Sequence, residues 1–127
     1  LFMTALAGPT ANFLIGFLAS FILVVFAVYV PEDFYLYAPL RLMSDAAIQI
    51  NFALGVFNLI PLPPLDGSKI VESFLSYENT KKFERLQSYS FFILIALLWT
   101  GALNVLAVPI TLLRNFSISF WTTLFHV

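Results

Sequence analysis

The 127 residues are 61% hydrophobic and 10% charged, with a mean hydropathy of +0.94 and a formal net charge of −1. A soluble domain carries about 25% charged residues, so the composition is that of an integral membrane protein, and the lack of a basic balance excludes a nucleic-acid partner. The absence of cysteine excludes a disulfide framework and any thiolate metal site, leaving only histidine and carboxylates as metal ligands.

Leu1 to Pro31 carries no charge, which leaves room for one crossing at about 20 residues per span, placed at 11–30, behind a short apolar lead-in. The chain opens inside an apolar stretch with neither a basic leader nor a small-residue cleavage site, which reads as an internal cut in a longer protein. Gly8-Pro9 fits a turn, with Pro9 in the first turn of the helix that follows, where its missing N–H does no harm. The same small residues could instead form a corner that lets neighbouring helices pack closely. Between Pro31 and Asp45, Glu32, Asp33 and Arg41 mark a connection at the interface, with Tyr29, Tyr35 and Tyr37 as headgroup-level anchors.

A second span is predicted over 46–62, within the uncharged run Ala46 to Leu65. Gln49 and Asn51 are expected to bond to neighbouring helices. Pro61, Pro63 and Pro64 then break the run. Each removes a backbone donor, which would free the carbonyls of Phe57, Leu59 and Ile60. Irregular backbone at membrane depth is tolerated only where protein buries it or where it lines a wet cavity. Asp66 follows immediately, and an ionisable group in such a place is a functional hypothesis by default. The competing structural reading makes Asp66 the N-cap of the next helix.

Gly67 to Tyr77 reads as a short amphipathic helix with Ile70, Val71, Phe74 and Leu75 on one stripe. Glu78 to Arg85 is charged and is placed outside the hydrocarbon. Trp99, Gly101, Asn104 and Pro109 interrupt the uncharged run from Leu86 to Leu113, so the third span is predicted over 87–103. An apolar helical tail over 105–127 ends near His126, a solvated terminal residue. Lys69, Lys81, Lys82 and Arg85 lie in one connection against Arg41 alone in the other. The positive-inside rule therefore puts Asp66 toward the cytoplasm. The fold class is all-α: a polytopic transmembrane helix bundle with a proline-broken helix at the active site.

The pattern Asn58-x-x-Pro61-x-x-x-x-Asp66-Gly67 resembles the N-x-x-P-x-x-x-x-D-G signature of site-2 proteases, zinc metalloproteases that cut within the membrane. Gly8-Pro9-x-x-Asn12 resembles the G-P-x-x-N element of the same family. The resemblance implies Zn2+ as cofactor with Asp66 as the third protein ligand. The other two would come from an H-E-x-x-H helix, which this sequence does not contain and which the family places upstream. It implies that Asn58 hydrogen-bonds the substrate or the developing oxyanion, and that Gly8, Pro9, Asn12, Pro61, Pro64 and Gly67 line the substrate cleft. It also implies membrane-protein substrates, a lipid-bilayer setting in a prokaryotic cell membrane, and an upstream partner segment bearing H-E-x-x-H. The chain alone would then be inactive. A non-catalytic pseudoprotease or scaffold that binds transmembrane helices is the alternative. A transporter fragment would need a second, corresponding helix break.

Overall fold

The computed structural model describes residues 2–62 and 65–126. Pro63 and Pro64, and with them the cleft role expected of Pro64, lie outside the described residues. The described residues form five α-helices and no strand: α1 (Phe2–Tyr29), α2 (Tyr37–Asn58), α3 (Asp66–Glu72), α4 (Tyr77–Thr100) and α5 (Ala107–Leu124). A 3-10 segment, Ala102–Leu106, joins the last two. Of the helices, α1 and the apolar stretch Ala102–Leu124 have the length and composition to cross a membrane. The 28 residues of α1 measure about 42 Å, enough for a bilayer including its headgroups.

The central contact is an antiparallel pair, α1 on α2, locked by two glycines. A Cβ on Gly16 of α1 would sit 2.6 Å from the ring of Phe52, and one on Gly55 of α2 would sit 2.5 Å from the ring of Phe13. The two helices thus exchange the same unit, Phe-x-x-Gly, at 13–16 and at 52–55. Each phenyl ring fills the gap left by the other helix's missing side chain. Phe52 and Ile48 are almost wholly buried and form the core with Ala19. Such close backbone approach is how helices associate when lipid offers no hydrophobic gain. The interlock also fixes register, because a shift of one residue would drive both rings into backbone.

Packed against this pair, α5 sets Trp121 between Phe17 and Phe21, with ring centroids at 4.8 and 4.7 Å. The Trp121 indole N–H donates to the Phe17 carbonyl at 3.1 Å. In contrast α4 packs little, with Ser90 its one buried residue and Trp99 90% exposed. Ser76 caps its start by accepting from the Asn79 N–H at 3.4 Å. Gly101, with φ +74, ends it in the left-handed conformation that glycine adopts without a Cβ penalty.

Several expectations change. Gly8-Pro9 makes no turn: α1 runs continuously from Phe2, and Pro9 is buried inside it. Tertiary packing overrides a local breaker signal there, at a cost of about 3 kcal/mol for an interior proline. α2 begins at Tyr37, so much of the expected interfacial connection is its first two turns. Tyr37 is no exposed anchor; it is buried and stacked on Phe26 with centroids 5.1 Å apart. Charged Glu78 to Arg85 opens α4 rather than preceding it. Asn51 donates to the Ala47 carbonyl of its own helix at 2.8 Å instead of reaching a neighbour. The chain does break near Gly101, where sequence placed an interruption.

Candidate functional site

The site forms where α2 gives out. After Asn58, its last helical residue, the N–H groups of Leu59 and Ile60 turn back to the carbonyls of Val56 and Phe57, each at 3.1 Å. Leu62 donates to Ile60 and Leu65 to Leu62, both at 2.8 Å. These tight bonds replace the regular ladder that Pro61 cannot join. The Phe57 carbonyl, expected to be freed, is thereby satisfied.

Gly67 explains the next part of the motif. A Cβ on it would overlap the backbone carbonyl oxygens of Leu59 and Ile60. Only glycine lets the start of α3 press onto the unwound end of α2. Those two carbonyls consequently face Gly67 and are not laid out as an open edge for a partner strand. Gly67 and Ser68 are buried, and the Ser68 hydroxyl donates to the Leu65 carbonyl at 2.7 Å. α3 is therefore anchored through its first turn, a feature that its apolar stripe did not reveal. Phe74, assigned to that stripe, lies past the helix end, exposed and edge-on to Phe2 with centroids 5.4 Å apart.

Pinned in this way, Asp66 projects toward α1. It is the first residue of α3; Leu65 is the N-cap position, and no side chain caps the helix. The capping role considered for Asp66 is thus replaced by another geometry. A Cβ on Gly8 would sit 2.8 Å from the Asp66 Oδ2 atom and 3.8 Å from its Cγ. Gly8 leaves the space that this carboxylate oxygen occupies. Asp66 is half-buried and Gly8 exposed, so the carboxylate stands on an open face, reachable from outside the chain.

The remaining motif residues gather round unequally. Asn12 follows Gly8 by one turn and so shares its face, half-buried. Pro9 is turned inward and fully buried, so it shapes the packing of α1 and cannot line an open cleft. Pro61 is exposed. Asn58 is half-buried in the last turn of α2, and its side chain makes no hydrogen bond among the described residues. Sequence reasoning missed the ion pair on the other half of the bundle. There Arg114 of α5 donates through Nε and Nη2 to the Asp45 Oδ1 atom, at 3.1 and 2.5 Å. Its signal was a lone arginine beyond a long apolar run, with its partner 69 residues earlier.

A catalytic zinc needs three protein ligands. Among the described residues no three histidines or carboxylates come together. The described residues therefore do not complete a zinc ligand set around Asp66.

The family description "Peptidase family M50" matches residues 37–101, from the start of α2 through the broken segment and α3 to the end of α4. Over 99 residues, 77% of this chain, the sequence is 33% identical to "Putative zinc metalloprotease YwhC" of Bacillus subtilis (strain 168). The chain spans 45% of that protein's length, less than half of it. No solved structure matches. Residues 37–101 hold both the broken helix and Asp66-Gly67, and together with the relative they place this chain in peptidase family M50, the membrane-embedded site-2 proteases.

Proposed function

We propose that the protein is an intramembrane zinc-dependent endopeptidase that cleaves transmembrane segments of membrane-protein substrates, and that this chain contributes Asp66 as one zinc ligand. The remaining ligands come from residues outside this sequence, in keeping with a relative of which the match spans only 45%. The observation that carries the reading is the Asp66 carboxylate held against Gly8 by the Gly67 contact on the broken end of α2. Gly8 and the adjacent pair Asp66-Gly67, far apart from it in sequence, serve one placement. That is a positioning device, costly to build for an N-cap that is not made.

Within this reading Asn58 donates its amide to the substrate carbonyl or to the oxyanion that develops from it. Preorganised donors of this kind are worth about 3 kcal/mol of barrier. Asn12 and exposed Pro61 border the approach to Asp66, and Pro9 supports it from behind. The excess of Lys69, Lys81, Lys82 and Arg85 sets this end of the bundle toward the cytoplasm, with three crossings, near 11–30, 46–62 and 87–103, in one transmembrane domain.

The test is cleavage of a single-span substrate by the full-length protein and by Asp66→Asn and Asn58→Ala variants. Asp66→Asn should abolish cleavage with the fold intact, and Asn58→Ala should slow turnover about a hundredfold without loss of metal. Normal cleavage by Asp66→Asn would sink the reading. A full-length protein that binds transmembrane helices but never cleaves them would instead be the non-catalytic scaffold.

A further inference from the structure

Far from Asp66, two contiguous cavities of about 410 and 330 Å³ run between α1, α2 and α5, sharing Leu23, Arg41 and Arg114. The first adds Tyr37 and Asp45; the second continues along Val24, Ala27 and Ile118. The two arginines therefore sit where the cavities meet, with a mainly aliphatic arm leading away from them. We propose that this groove binds an anionic phospholipid, its phosphodiester on Arg41 and Arg114 and an acyl chain along Val24, Ala27 and Ile118.

Charge and donor count support the headgroup. Asp45 balances one guanidinium, so the two arginines leave one net positive charge facing the cavity. Arg114 spends two N–H groups on a single Asp45 oxygen, and a guanidinium carries five. Arg41 makes no ion pair among the described residues. Guanidinium forks match phosphate oxygens in pairs. The Asp45 contact holds Arg114 in place for that task.

Position argues for a lipid over a free anion. The Gly16–Phe52 and Phe13–Gly55 contacts set the antiparallel register, which brings Asp45 level with Leu23 and Arg41 level with Ala27. Leu23 lies 15 positions after Gly8, about 22 Å along α1. With Asp66 near one face of the bilayer, the arginines fall near the opposite headgroup layer, within snorkelling reach of it. An inorganic anion would have no use for the aliphatic arm. The proposal is independent of the zinc reading.

The experiment is a native mass-spectrometric titration of the full-length protein in neutral detergent with palmitoyl-oleoyl phosphatidylglycerol or phosphatidylcholine. One phosphatidylglycerol should bind at least tenfold more tightly than phosphatidylcholine, and millimolar inorganic phosphate should not displace it. Arg41→Gln, which breaks no ion pair, should weaken phosphatidylglycerol about tenfold, the loss of one charge-assisted hydrogen bond. Ala27→Phe, which fills the aliphatic arm from an exposed position, should weaken both lipids. Equal binding of the two lipids, displacement by phosphate, or an unchanged affinity in Arg41→Gln would each overturn the proposal.

Discussion

Replacing Gly8 by alanine separates placement of the carboxylate from stability of the fold. The new methyl carbon would lie 2.8 Å from Asp66 Oδ2, where ordinary C···O contact begins at about 3.3 Å. The oxygen must move by about 0.5 Å or the side chain must rotate. It can do either, since the obstacle is the free end of a short side chain. Within α1 the substitution itself gains about 1 kcal/mol of helix propensity. The unfolding midpoint should therefore hold or rise slightly. Metal geometry tolerates only about 0.2 Å, and loss of support for a ligand costs about 10- to 100-fold in affinity. Chelator competition for zinc on the full-length protein, beside a thermal melt, reads both quantities. A variant that melts early yet keeps its zinc affinity would refute the reasoning, because Gly8 would then serve packing alone.

Other outcomes follow from the same contacts. Gly67→Ala meets two backbone carbonyls that cannot rotate away, so it should lose about 3 kcal/mol in a denaturation series, unlike Gly8→Ala. Gly16→Val should cost about 1–3 kcal/mol by forcing Phe52 from its place, and adding Phe52→Ala should recover part of that loss, measured as a non-additive double-mutant cycle. Asp45→Asn should shift stability by less than about 1 kcal/mol, because the side chains of its ion pair are 33% and 45% exposed; a larger loss would mean that the pair holds α5 to α2.

The break in α2 was legible because proline acts locally, whatever surrounds it. Asp66-Gly67 was legible as a motif, but the work of its glycine was not. That depends on two carbonyls seven and eight positions earlier, which the chain returns to only after folding back. Gly8-Pro9 misled for the converse reason. Its local preference for a turn is outweighed once α1 has α2 and α3 to pack on. The Phe-x-x-Gly unit was present twice in plain sight, yet its meaning lies in an antiparallel register that no single helix displays. The Asp45–Arg114 pair was hidden by separation in sequence. Helix ends drifted most where charge was read as loop, as at Arg41 and at Glu78 to Arg85, since short charged stretches sit comfortably in exposed helical turns.

The central claim, that Asp66 is a zinc ligand, is tested most directly by the metal content of the purified full-length protein beside its Asp66→Ala variant, each shown to be folded by circular dichroism. The account predicts about one zinc per chain in the parent protein and a marked loss in the variant. Equal zinc in both, or none in either, would contradict it.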